Sequence, residues 1–267
     1  MAIIPVGDAF RGFAYGQKEG QPARVFSKMY GVYITGESVY NTPERDAEMI
    51  TIPGRNGALY RDKGRFENIE VTYHCGMFAE SQADFAENIR MFRQAFLIRV
   101  GGYQYLYDDY NTDEFRMAVY KSGLEIDPVA MSTAGEFDIT FNCKPQRFLK
   151  TGSNTYEPSS GAQFTNPTTW NSQPLISFKT STGNGVITLA NNNGNQTITV
   201  SGAPTNEVIY IDCEVGECYK YSGTTLVSLN NYVSFGANIP QFYGGTTTYT
   251  YDNTLNTMKV QPRWWRI

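Results

Sequence analysis

The chain has 267 residues, 41% hydrophobic and 14% aromatic, with 19 Tyr and 16 Phe. That is enough for two domains that each bury a core, and it excludes a disordered chain. A net charge of -4 without a basic stripe argues against coating nucleic acid, and no apolar run approaches the roughly 20 residues that span a bilayer.

The first elements carry most of the charge. Residues 1–150 hold 17 of the 22 Lys+Arg and 20 of the 26 Asp+Glu. Met1 to Gly20 has no charged-then-apolar order of the secretory type, which points to synthesis and folding in a cytoplasm. Ile69, Val71 and Tyr73 alternate with polar residues, as in a half-buried strand. Ser81 then opens a helix as N-cap, answered by Asp84 in an acidic variant of the capping box. Phe85, Ile89, Phe92 and Phe96 form its apolar stripe, with Glu87, Arg90 and Arg93 on the other sides. Short strands are predicted at Tyr103–Tyr107 and Phe115–Tyr120. Another runs from Glu136 to Cys143, with Phe137, Ile139, Phe141 and Cys143 on one face, and is expected to stop at Pro145.

Polarity changes at Lys150–Asn154, a linker-like run followed by Pro158-Ser159-Ser160-Gly161. We therefore divide the chain into domains 1–150 and 151–267. The second reads as strand after strand: Leu175–Phe178, Val186–Leu189, Thr197–Val200, Val208–Cys213, Tyr219–Tyr221, Tyr232–Phe235, Thr246–Tyr251 and Thr257–Val260. A recurrence of about ten residues, with turns such as Asn193-Gly194-Asn195, predicts an antiparallel sandwich or barrel. The fold class is mainly β.

Candidate chemistry is sparse. His74, the sole histidine, lies on the strand face opposite Val71, Tyr73 and Cys75, and no G-x-S-x-G elbow accompanies it. One His does not make a His-based metal site. Asp108-Asp109 and Glu214/Glu217 are the carboxylate pairs a glycoside hydrolase would need, but both fall where turns are expected. Cys75 and Cys143 fit alternating core patterns. A turn at Val215-Gly216 sets Cys213 and Cys218 opposite each other, as two free thiols or a disulfide. Trp264 falls in register with Met258 and Val260 and is expected in the core. Trp265 points to the other face and is the candidate glycan contact. No catalytic, cofactor-binding or metal-binding residue is assigned.

An ordered set of segments is more specific. Tyr30-Gly31-Val32-Tyr33, Tyr40 to Asp46, Ile52-Pro53-Gly54-Arg55-Asn56-Gly57 and Phe66-Glu67-Asn68-Ile69 resemble the distal tail protein family of siphophages infecting Gram-positive bacteria. The following helix, Phe137 to Leu149, Ile211 to Glu214 and Pro262-Arg263-Trp264 extend the resemblance over most of the chain. Residues 1–25 depart from the family's usual start, and no long insertion interrupts the second half. The resemblance implies a non-enzymatic virion protein of the tail tip, assembled in the host cytoplasm. Its first domain would be a ring-forming β-rich domain with one helix, its second a galectin-like β-sandwich. It implies a homo-hexamer between the tail tube protein above and the tail-tip hub protein below, with receptor-binding proteins at the periphery. DNA would pass through the lumen without specific binding, and no membrane or cofactor is involved.

In a closed ring each subunit needs two different patches. The expected ones are the loop Pro53, Gly54, Arg55, Asn56 and Gly57, and the helix face with Glu87, Arg90 and Arg93. Pro-Gly and Asn-Gly are ordinary turn pairs. The arginine between them is expected to reach a carboxylate on another subunit or a buried acid nearby. A net negative or neutral lumen is expected, since a basic one would hold passing DNA. The competing readings are a carbohydrate-binding module for host-surface glycans and a cell-wall hydrolase.

Overall fold

A computed structural model describes residues 10–18, 24–36, 40–98, 102–129 and 133–267. The chain is mainly β and divides into two units, Met1–Arg147 with Ile267, and Phe148–Arg266.

The first unit contains β1 (Phe13–Gly16), β2 (Arg24–Phe26), β3 (Val32–Ile34), β4 (Arg45–Thr51), β5 (Ala58–Phe66), β6 (Ile69–Phe78), helix α1 (Gln82–Leu97), β7 (Gln104–Asp108), β8 (Glu114–Val119), β9 (Asp127–Val129) and β10 (Ala134–Leu149). Its main sheet runs β2-β1-β7-β8-β10-β6-β3. A bridge between Arg11 and Ile34 brings the β1 side back to β3, so the sheet curls on itself. Alternation decides what faces inward: Ile69, Val71, Tyr73 and Cys75 of β6 are buried, and so are Phe137, Ile139, Phe141 and Cys143 of β10. Helix α1 begins as predicted, with the Ser81 hydroxyl accepting from Asp84 N–H at 3.1 Å. Its Phe85, Phe92 and Phe96 are buried against the sheet's aromatics, and Phe96 meets Tyr120 edge-on at 4.5 Å.

Strand β10 does not stop at Pro145. Its pairing with β6 ends at Cys143↔Ile69, so Pro145 lies beyond the last rung on that side, and its missing N–H leaves no gap there.

The second unit contains β11 (Ala162–Asn166), β12 (Leu175–Thr180), β13 (Gly185–Asn191), β14 (Gly194–Val200), β15 (Ile209–Asp212), β16 (Glu217–Ser222), β17 (Thr225–Ser228), β18 (Val233–Phe235), β19 (Gly245–Tyr251), β20 (Leu255–Gln261) and β21 (Trp265–Arg266). Two five-stranded antiparallel sheets, β11-β19-β13-β14-β18 and β17-β16-β15-β12-β20, enclose one core. Ile187, Leu189, Ile198 and Tyr249 enter it from one sheet, and Ile176, Phe178, Ile211 and Val260 from the other. Trp264 is buried in the same core.

Cys213 and Cys218 are buried free thiols and do not face each other directly: Ile211 pairs with Cys218 and Asp212 with Glu217. The turn from Asp212 to Gly216, closed by a 2.8 Å backbone bond, shifts the register expected from Val215-Gly216.

Candidate subunit-contact surface

The loop singled out in the sequence caps a ribbon that alternation does not reveal. Among the described residues, strands β4 and β5 pair only with each other, forming a two-stranded sheet of their own. The tip is turn chemistry. Arg55 N–H donates to Ile52 O at 3.2 Å, with Pro53 and Gly54 between and Gly54 at φ 76°. That is a type II turn, where proline suits the second position and only a residue tolerating positive φ suits the third. Gly57, at φ 79°, returns the chain to β5.

The ribbon's base is tied by charge. Arg45 holds Asp62 through Nε at 2.9 Å and Nη2 at 2.7 Å. Asp46, 5% exposed, accepts from Arg65 Nε at 2.6 Å and from Lys63 at 2.9 Å. Hydrogen bonds from Lys63 and Arg65 hold the Asp46 carboxyl below its usual range, and those from Arg45 and the Gly64 N–H do the same for Asp62.

The ribbon's outer half is apolar and uncovered. Met49 is 67% exposed, Tyr60 56%, Leu59 46% and Ile50 38%. Met49 pairs with Tyr60 and Ile50 with Leu59, on successive rungs, so the two pairs lie on opposite faces. Isolated two-stranded ribbons are marginal in water, and clustered apolar residues exposed on both faces make this one a candidate contact surface. Sequence reading missed these four residues. A strand exposed on both faces has no one-sided alternation, and the only available signal was apolar residues at adjacent positions inside a charged run.

The other predicted residues are placed as follows. Pro53, Gly54, Arg55, Asn56 and Gly57 are all exposed at the tip. The Arg55 guanidinium has no partner among the described residues, so the nearby buried acid is absent there. On α1, Glu87 pairs with Arg90 through two bonds, of 3.0 and 2.6 Å, on the exposed surface. Arg93 instead donates to the Leu124 carbonyl at 3.1 Å, inside its own unit. No hydrogen bond or ion pair among the described residues joins the loop to this helix face.

Most of the candidates for chemistry are engaged in structural contacts, while Glu217 is exposed on β16. Asp108 accepts from the Tyr73 hydroxyl at 2.7 Å and from the N–H groups of Tyr110 and Asn111. Asp109 binds Gly12 N–H and Lys28. Glu214 lies 3.4 Å from Arg263, which grips Asp212 in a two-point contact. His74 is exposed on the outer face of β6, with Nδ1 2.6 Å from its cross-strand neighbour Asp138. Trp265 is half-buried. It stacks on Trp170 at 5.1 Å between ring centroids, and its Nε1 donates to Asn171 O at 2.9 Å. One face of the indole is thus already occupied. Among the described residues, no group of three or more His, Cys, Asp or Glu side chains is placed to hold a metal ion.

The first unit is thus a curled β unit with one packed helix, and the second a β-sandwich. Residues 28–143 match the model of the phage tail protein RIFT-related domain. The fold of nearly the whole chain is shared with solved phage proteins. The Dit protein (gp 19.1) of phage SPP1, described as a paradigm of the hub adsorption apparatus in phages infecting Gram-positive hosts, superposes with a TM-score of 0.66 at 11% identity. That match covers 94% of this chain and 97% of the SPP1 protein. A chain of the phage P2 baseplate in its activated conformation, solved with Ca, gives 0.56 at 9% identity, covering 94% and 96%. The same baseplate solved with Sr gives equal values. None of the curated proteins compared matches the chain significantly.

Proposed function

We propose that the chain is a structural subunit of a siphophage tail tip. Six copies form a ring between the tail tube and the tail-tip hub, DNA passes through the lumen, and receptor-binding proteins attach outside. The observation that carries this is the β4–β5 ribbon, whose apolar outer half is exposed and uncovered by the described residues. The fold shared with the SPP1 hub protein along nearly its full length supports the tail-tip setting.

In a closed ring every contact is head-to-tail, so one subunit offers the ribbon and its neighbour offers a different surface. The first unit's excess of acids over bases favours a lumen that repels phosphates. A carbohydrate-binding role for Trp265 is the weaker reading, because Trp170 already covers one indole face. The test is mass photometry of the purified protein over a concentration series, alone and with its neighbouring tail proteins, followed by electron-microscope imaging. Six-fold rings are expected. A strict monomer in both conditions would overturn the reading.

A further inference from the structure

Resting on that ring reading, we infer that the outward stripe of α1 is the surface on which a neighbouring subunit's β4–β5 ribbon docks. Asp84, Glu87, Met91, Gln94 and Ile98 follow one another at three- and four-residue spacing, opposite the buried Phe85, Phe92 and Phe96. All five are exposed, Met91 at 46% and Ile98, the C-cap residue, at 68%. The stripe is acidic toward the helix N-terminus and apolar toward its C-terminus.

The ribbon carries the complementary order. Its apolar rungs, Met49–Tyr60 and Ile50–Leu59, lie behind a tip whose charged side chain is Arg55. With the Met49–Tyr60 rung against Met91 and Ile98, the orientation that matches charge turns the tip toward the helix N-terminus. Glu87 lies about 6 Å from Met91 and about 16 Å from Ile98 along the axis, at 1.5 Å per residue. The two residues from Tyr60 to Ala58 advance about 7 Å, and the turn and the long arginine side chain supply the rest. Arg55 thereby reaches Glu87. That carboxylate is already held by Arg90, but its two oxygens have acceptor capacity for a second guanidinium. The match answers two local features at once: an arginine without a partner among the described residues, and an apolar helix end that its own chain leaves uncovered. It also meets the ring's need for two different patches.

The test uses full-length protein. Tyr60→Cys and Met91→Cys variants are purified separately, mixed, and treated with a short bis-maleimide. The four native thiols are buried and do not compete. A cross-linked dimer is expected from the mixture and from neither variant alone. In parallel, Arg55→Glu and Glu87→Arg are each expected to raise the concentration needed for assembly about tenfold, as for a close interfacial charge pair. The double variant is expected to recover most of that loss. Wild-type rings without the cross-link, or single losses without recovery, overturn the docking and leave the ring reading standing. Wild-type protein that does not assemble, together with variants that do not cross-link, overturns both.

Discussion

Replacing Met49 and Tyr60, which share one face of the ribbon, with threonine removes about half of its uncovered apolar surface while keeping residues that favour strands. Fully burying a side chain of this size stabilises by about 1.5–3 kcal/mol. Met49 is 67% exposed and Tyr60 56%, so roughly half or more of that remains to be gained at a contact, about 1 kcal/mol each. The pair then contributes about 2 kcal/mol per subunit contact, or about 30-fold in its dissociation constant. Mass photometry along a dilution series should show the assembly midpoint moving up by that factor. Thermal melting of the dilute subunit should barely change, because exposed positions contribute within about 0.5 kcal/mol to folding. Unchanged assembly would refute the reasoning. So would a melting temperature lower by more than about 4 °C, which would mean the two side chains stabilise their own subunit instead.

The ribbon's base should loosen in acid. Asp46 and Asp62 have carboxyl pKa values depressed by their cationic partners, so their stabilisation is present above the ordinary aspartate value of about 4 and is lost as pH falls through the lower folded value. Amide exchange at β4 and β5 should accelerate below about pH 4, ahead of the Phe-rich core. Burial pushes the Asp212 carboxyl up, but Arg263 brings it net below its usual range, and both side chains are mostly buried. Arg263→Ala removes that carboxylate's cationic partner, leaving it only backbone donors such as the Glu214 N–H, and should cost about 2–3 kcal/mol, read by urea denaturation of the second unit. Burial pushes the thiols of Cys75, Cys143, Cys213 and Cys218 up to about 12, so a thiol reagent should find none in the native protein and four after denaturation.

Legibility in the sequence followed burial. Where one face of an element meets a core, the residues announce it. Phe85, Phe92 and Phe96 mark the helix, Ser81 marks its start, and alternation from Ile69 and from Phe137 marks the two long strands. Trp264 followed the same logic into the second core. The β4–β5 ribbon escaped because neither face meets its own chain's core, so Ala58–Phe66 reads as a charged loop. Pro145 misled for a related reason: its cost depends on whether a neighbouring strand needs its N–H, a fact of register and not of composition. The register of Cys213 and Cys218 depended on how many residues the turn takes up, which spacing alone leaves open. The exposed loop at Pro53–Gly57 was legible as a turn. Its place at the end of a bare ribbon was not, because that depends on what lies on either side of it in space.

A two-stranded ribbon with apolar residues on both faces, whose outer edges are unpaired among the described residues, is also a liability in a free chain. Unpaired strand edges recruit other chains. The features at its base and tip have a protective side: charges concentrated on Arg45, Asp46, Asp62, Lys63 and Arg65 act as gatekeepers against stacking in register, and Pro53 cannot donate to an incoming strand. Only the two apolar rungs between them are left adhesive. On the ring reading proposed above, a free subunit would carry one short sticky segment whose flanks discourage fibre growth while leaving it open to a complementary surface.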